Sequence, residues 1–310
     1  MTSRLSTLFK GRLIMKKTRQ TILFWFFLLV GSCVFAQEVG KRDALLWEIS
    51  GNGLTEPSYL LGTCHIVPYT YTDSIPGYKD AYVSVRQVVI EHDVRPESLT
   101  ALMPRLQANM MLPSDTTYAM LYSPEELEEL NQFLQSAGMG SVDQIPLRPS
   151  IVSFFVSMGA ETMRLQGQEP MDVGVVVHGL ADGKEAAFFE TQDEAWDAMQ
   201  YLLFSKGLKE QAKDLLKTVR DIQKEQNPLA KLVRDYKAQQ IEAVFEGQYM
   251  TPQDMERLVY RRNARWMEKI PALLSAKPTL IAVGAGHLIG EKGLVQELRT
   301  RGYKLRALSL

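Results

Sequence analysis

Apolar residues gather in short runs near the two ends of the chain and fall into helical spacing between them. Near the start, Leu-Leu-Trp-Glu-Ile at 45–49 predicts a strand, and Gly51-Asn52-Gly53 turns the chain. Ser-Tyr-Leu-Leu-Gly at 58–62 predicts a second, buried strand, giving a hairpin that runs out at Thr63-Cys64-His65. After a Pro- and Tyr-rich loop, residues 83–91 predict a core strand that ends in Val88-Val89-Ile90 and delivers Glu91. Ser123-Pro124-Glu125-Glu126 has the form of a capping box with proline in the first turn, opening a helix to about residue 137. A further helix, started near Pro149-Ser150, falls within 143–164, and another is expected over 172–181. There Val175-Val176-Val177 suits a strand equally, and periodicity does not separate the two. A short strand over 186–190 leads to a second capping box, Thr191-Gln192-Asp193-Glu194, and an aromatic-rich helix. Residues 228–245 place Leu229, Leu232, Val233, Tyr236, Ile241, Val244 and Phe245 on one helical face. Thr251-Pro252 opens a helix with Met255, Leu258, Val259, Trp266, Met267 and Ile270 inward. A buried strand over 279–283, Gly284-Ala285-Gly286-His287, a helix over 292–301 and a strand over 303–308 close the chain.

This order, with no Gly-, Pro- or Ser-rich linker, predicts one domain over 37–310. Its class is α/β, with α+β as the alternative: a central mixed β-sheet formed from the N- and C-terminal segments, with a largely helical middle insertion. The first 36 residues read differently. Lys16, Lys17 and Arg19 precede an apolar run from Ile22 to Val30 and the tripeptide Val34-Phe35-Ala36, which is the pattern of a signal peptide cut after Ala36. Met15 offers a better-proportioned start for it. The expected destination is export, to the periplasm or the medium. Val30-Gly31-Ser32-Cys33 also resembles a lipobox, so lipidation at Cys33 is the one route to a membrane tether besides an uncleaved leader.

Charge narrows the function further. The chain has 35 basic and 36 acidic residues, and six of the basic ones precede Gln37, so the remainder carries a net charge of about −7. A mildly acidic body without a basic stripe argues against nucleic acid as a partner. Beyond the leader Cys64 stands alone, so no intrachain disulfide is available.

Two of the four histidines share a local grammar. Leu60-Leu61-Gly62-Thr63-Cys64-His65 and Ala282-Val283-Gly284-Ala285-Gly286-His287 are each an apolar strand, a glycine, two residues, then histidine. Glycine lets the backbone turn or approach a neighbour closely as the strand ends. The histidine is then presented at the C-terminal rim, where open α/β sheets place ligands. Neutral imidazole there suits a metal ligand or a general base. Either histidine alone reads equally well as a strand-end side chain bonded to backbone. Matching carboxylates favour a site: Val88-Val89-Ile90 is followed by Glu91, and Ala187-Phe188-Phe189 by Glu190. His92 comes directly after Glu91 and faces the other way if the strand continues. His178 reads as a helix residue, Asp172 as a helix cap, and Arg262 as a solvent-facing arginine. No His-Glu-x-x-His string is present, which excludes a standard zincin.

The opening Leu46-Trp47-Glu48-Ile49 and Ser58-Tyr59-Leu60-Leu61-Gly62-Thr63-Cys64-His65 resemble the N-terminal signature of TraB/GumN (Tiki-like) proteins. Glu91, Phe189-Glu190-Thr191, Arg262-Asn263 and Val283-Gly284-Ala285-Gly286-His287 come in the family's order, and the resemblance spans roughly residues 44–308. It implies a fold similar to the erythromycin-esterase-like and ChaN-like group, and a metal-dependent hydrolase of peptide or ester bonds. Carried over by position, His65, His287 and Glu91 are implied metal ligands. Glu91 and Glu190 are the implied catalytic carboxylates, and Arg262 an anion or oxyanion stabiliser; for Asp172 the resemblance opens a site role. The implied ion is divalent, Mn, Co or Zn. The alternative implied by ChaN-like relatives is a non-catalytic pocket for haem, iron, a small ligand or a peptide. The substrate, peptide or small molecule, is left open.

Overall fold

The computed structural model describes residues 44–308, apart from 145, 166 and 243–249. The leader expected over 1–36, with Met15 and Cys33, lies outside the described residues, as do Val244 and Phe245. Among the described residues no helix is long and apolar enough to cross a membrane.

Six strands form one mixed sheet: β1 (Leu46–Gly51), β2 (Ser58–Thr63), β3 (Gln87–Ile90), β4 (Glu185–Phe188), β5 (Thr279–Gly284) and β6 (Tyr303–Ala307). Their order across the sheet is β4-β3-β5-β2-β1-β6. The first four in that order are mutually parallel, while β1 runs antiparallel to both β2 and β6. The hairpin and the closing strand meet as expected, with Trp47 opposite Ala307. Four parallel strands with helical crossovers make the class α/β.

Strand alternation builds two cores. Tyr59, Leu61, Val88, Ile90, Leu280 and Ala282 face one side of the sheet; Leu60, Val89, Ile281 and Val283 face the other. The first face is covered by helices α1 (Tyr78–Ser84), α5 (Met171–Ala181) and α8 (Pro228–Lys237), through Ala81, Val175, Val176 and Tyr236. The second is covered by α9 (Arg261–Ala276) and α10 (Leu294–Thr300), through Trp266, Met267, Ile270, Leu294 and Leu298. A third core joins α3 (Pro124–Ser136), α4 (Pro149–Arg164) and α7 (Leu208–Gln223) through Leu130, Leu134, Val152, Ala212, Leu215 and Val219, away from the sheet. The helical insertion thus has an interior of its own.

Both expected capping boxes are present: Ser123 and Thr191 each accept from the backbone N–H three residues on, starting α3 and α6 (Gln192–Phe204). Several expectations need correcting. The strand expected over 83–91 begins at Gln87, because Val83 belongs to α1 and is exposed. The Tyr-rich loop contains a 3₁₀ helix, Tyr69–Ser74. The helix expected over 228–245 stops at Lys237, where Gln239 takes a left-handed φ of 57°. Two helices were not expected: α2 (Pro96–Met110), interrupted in pattern by Pro104, and α7. The helix opened by Thr251 runs through a π-helical stretch, Met255–Tyr260, before α9 proper.

Gly62 shows why the first Gly-x-x-His glycine is needed. A Cβ there would lie 3.1 Å from the Ala285 Cα and 3.1 Å from Leu288 Cδ2, so β2 and the segment after β5 touch backbone to backbone. The Tyr236 hydroxyl also donates to the Gly62 carbonyl at 2.7 Å. Gly62→Ala is expected to destabilise the fold by about 1–3 kcal/mol through overpacking. Denaturant unfolding checks this, with the midpoint falling and the slope unchanged.

Candidate functional site

All four parallel strands point their C-terminal ends at one rim, and each end delivers a polar side chain to it. β2 leads to His65, β3 to Glu91, β4 to Glu190 and β5 to His287. Pairing of β3 with the β4 segment continues past the regular ladder, with Phe189 N–H donating to the Ile90 carbonyl and Glu190 N–H to the Glu91 carbonyl at 2.8 Å. Two buried carboxylates are thereby set side by side, an arrangement that needs a cation.

Arg262, in the first turn of α9, supplies it. Its Nε–H donates to Glu190 Oε1 at 2.7 Å. Nη2 donates to Glu190 Oε2 at 2.8 Å and to Glu91 Oε2 at 2.5 Å. Nη1 donates to the Leu258 carbonyl and to His287 Nε2, each at 3.2 Å. A guanidinium has five N–H donors, and all are spent on protein acceptors. Arg262, expected as an anion or oxyanion stabiliser, here holds the two carboxylates together, with a protein acceptor for each donor. Glu190 is closed off further by Trp266, whose indole N–H donates to Oε1 at 3.1 Å. Burial would push the Glu91 carboxyl up, but Arg262, with the histidines and the Gly284 N–H at 2.7 Å, holds it well below the usual range.

His287 sits in the same network, buried against the Trp266 ring with centroids 4.3 Å apart. Asn263 fixes its tautomer. The Asn263 amide nitrogen donates to the His287 and Lys292 carbonyls, so its oxygen must face the imidazole and accept from Nδ1–H at 2.6 Å. Nε2 is then the acceptor for Arg262. Burial, reinforced by Arg262, pushes this imidazole down to about 3, so it is neutral at pH 7. Gly284 mirrors Gly62: a Cβ there would lie 3.2 Å from Glu91 Oε1.

His65 has the opposite environment. Its side chain is 59 % exposed to the cavity, and Nδ1 is 2.8 Å from Asp172 Oδ2 on α5. The Asp172 charge pushes the imidazole up to about 9 against the effect of burial, with solvent screening moderating that push. Asp172 is not the N-cap residue; Pro170 stands there, and the carboxylate, in the first turn of the helix, turns to the histidine. Asp172, Asn263 and Trp266 are thus the members of the site whose parts the residue pattern did not give. His92 lines the same cavity despite the parity argument, because β3 ends at Ile90 and alternation lapses beyond it. His178 is half-exposed and pairs with Glu169, outside the site.

The cavity above this rim measures about 580 Å³. Its floor holds His65, Glu91, Asp172, Arg262 and His287. Its walls are apolar and come from the helices, among them Phe154, Met158, Leu229, Leu232, Leu258 and Val259. As the side chains stand, the floor does not fit a divalent ion on His65, His287 and Glu91. His287 Nε2 and Glu91 Oε1 lie 3.8 Å apart, but the first faces Arg262 and the second accepts from Gly284. Among the described residues no three His, Cys, Asp or Glu side chains gather as an ion-holding group.

A family model described as TraB/PrgY/gumN family matches residues 45–307. The chain is similar to a Danio rerio protein named Metalloprotease TIKI2, 24% identical over 86% of this chain and 62% of that protein. It is also similar to a Metalloprotease TIKI homolog of Amphimedon queenslandica, 41% identical over 59 residues, which cover 18% of this chain and 12% of that protein. The chain thus spans less than two thirds of the length of either relative. No solved structure matches.

Two outcomes are expected from the electrostatics. Asp172→Asn lowers the His65 pKa from about 9 toward the ordinary 6.5, read by NMR titration of the ring. Because the folded-state value is raised, the pairing stabilises the fold fully below 6.5 and fades as pH rises through about 9, so the variant loses that slope. Arg262→Met leaves Glu91 buried without its cation, and Glu190 with only Arg265 at 3.6 Å, and is expected to cost about 3–5 kcal/mol. That deficit is largest near neutrality and shrinks as pH falls and Glu91 protonates. Wild type does the reverse: the depressed Glu91 makes it lose stability as pH drops below 4.5. Unfolding curves from pH 2 to 8 distinguish these slopes.

Proposed function

The chain belongs to the TraB/PrgY/gumN family, and from that premise we propose that it is a hydrolase of peptide or ester bonds whose proton-transfer group is His65. The observation that carries this reading is the pairing of a cavity-facing His65 with a buried Asp172, beside a floor whose other ionisable groups are locked. Asp172 accepts Nδ1–H and leaves Nε2 as the nitrogen that exchanges protons with the cavity. The unprotonated ring takes a proton from water as the water oxygen bonds to the substrate carbonyl carbon and the carbonyl electron pair moves to oxygen. When that intermediate collapses, the leaving nitrogen or oxygen takes the proton back from Nε2–H. Glu91 is a poor base here, being held ionised by Arg262; the part of both carboxylates is to fix the guanidinium, and with it His287, under the reacting group.

The walls add a substrate preference. Arg262 offers no spare donor to a substrate carboxylate, and the charges lining the cavity, Glu91 and Asp172 against Arg262 and protonated His65, balance. An anionic group therefore finds no free cationic donor from Arg262, whereas an uncharged group with a bulky apolar substituent fits against Phe154, Met158 and Leu232.

A divalent ion is the second reading, favoured by the likeness to two proteins named as metalloproteases. It places the ion on His65, His287 and Glu91 and requires Arg262 to withdraw from the last two, so no step is routed through it here. One assay separates the readings: neutral esters and amides of graded apolar size, with and without chelation. We expect hydrolysis that survives chelation, rises with pH as His65 loses its proton, and falls about 10²–10⁴-fold in His65→Ala. Loss on chelation with recovery on adding Mn, Co or Zn would replace this mechanism by the ion-based one. Stoichiometric uptake of haem or another ligand without product would leave the cavity as a binding site.

A further inference from the structure

Beneath the large cavity lies a second, very small one of about 10 Å³, bounded by Thr63, His65, Glu91, His92 and Asp172. Three side-chain atoms on its boundary residues are buried and have no hydrogen-bond partner: Thr63 Oγ1, His92 Nδ1 and Asp172 Oδ1. Thr63 is 2 % exposed and Asp172 8 %. Five such atoms occur among the described residues, so three of them on one small cavity is a concentration rather than scatter. Buried polar atoms are otherwise almost always paired, by protein or by ordered water. A void of roughly 10–15 Å³ with two to four polar neighbours is what one water molecule occupies.

We propose that Thr63, His92 and Asp172 form a binding site for a single buried water, which completes the His65–Asp172 pair from behind. The inference does not depend on the hydrolase reading. The valences match. The Thr63 hydroxyl donates to the water, and the water donates one proton to Asp172 Oδ1 and the other to His92 Nδ1, leaving His92 protonated on Nε2. Asp172 then has both oxygens engaged, Oδ2 by His65 and Oδ1 by the water, which fixes the carboxylate plane and the orientation of the imidazole it holds. Thr63 and His92 are accordingly positioning residues acting through Asp172. Thr63, the first residue after the Gly62 of the Gly-x-x-His motif, ends β2 beside β5, so the strand that delivers His65 also delivers one wall of the water site. A cation is the less suited occupant, since Asp172 Oδ2 already serves His65 and no ion-holding group of three forms here among the described residues.

The test is a high-resolution crystal structure of the purified chain and of Thr63→Val and Thr63→Ser, with solution NMR of the His65 Nδ1–H proton on the same proteins. A single peak within hydrogen-bonding distance of all three atoms, without anomalous signal, is expected in wild type and in Thr63→Ser, and its loss in Thr63→Val. The Nδ1–H resonance is expected to be resolved in wild type and Thr63→Ser and lost to solvent exchange in Thr63→Val, a change that an equally folded protein with a merely structural threonine would not show. Anomalous signal or contacts at metal–ligand distance would replace the water by an ion and overturn the proposal. So would a dry cavity, or a Thr63→Val protein that keeps both the peak and the resonance. Hydrolytic activity enters none of these readouts, so a protein that turns nothing over still decides the matter.

Discussion

Two carboxylates brought side by side by parallel strand pairing, and both buried, constrain everything around them. Glu91 and Glu190 stand just past β3 and β4, whose pairing runs on beyond the ladder. The sheet in this register therefore depends on a cation at that spot for much of its stability. Arg262 answers with all five donors, which fixes α9 over the rim to within hydrogen-bond tolerance. An ion network of this kind adds little net stability against an apolar substitute, but removing one member is costly. Its effect is specificity: one helix, in one rotational setting, closes the sheet end. The π-helical stretch just before α9 is consistent with that demand. An extra residue in a turn rotates the helix beyond it, and Leu258 within the stretch supplies the carbonyl that receives Nη1.

The same network separates two histidines that look equivalent in sequence. Both come after an apolar strand, a glycine and two residues. His287 is enclosed by Trp266, Asn263 and Arg262, so burial and a neighbouring cation keep it neutral. His65 opens to the cavity and meets a lone carboxylate, which favours its charged form. One ring is a fixed dipole in the floor and the other faces the cavity with its charged form favoured. The division of labour comes from the environment each strand end enters, and no local motif encodes it.

That distinction sets how much of the fold and the site is legible in the sequence. Strand-end residues of a parallel sheet share a rim, so an apolar run that ends in a histidine or glutamate announces its destination; His65, Glu91, Glu190 and His287 are readable for that reason. Asp172 is not, because an acid in the first turn of a helix is indistinguishable from a cap until the helix is docked. Asn263 and Trp266 carry an inward helical spacing that signals burial but not whom they touch. Strand alternation turns His92 away from the site, yet alternation holds only while the strand continues. Among the helices, α7 carries Ala212, Leu215, Leu216 and Val219 at helical spacing, a pattern open to reading, whereas Pro104 inside α2 disguises that helix.

The cavity joins parts with different freedom to vary. Its floor is tied to the sheet, to two glycines whose missing Cβ atoms permit close contact, and to a saturated guanidinium; a change in any of these disturbs the others. Its apolar walls come largely from α4 and α8, and α4 packs into the separate helical core around Leu130, Val152 and Leu215. Phe154 on α4 and Leu232 on α8 line the cavity with apolar side chains that can make no hydrogen bond to the charge network, so their size and shape are adjustable at constant floor geometry. The charged floor is therefore set by the strand ends, and the shape of the cavity above it by the helical insertion.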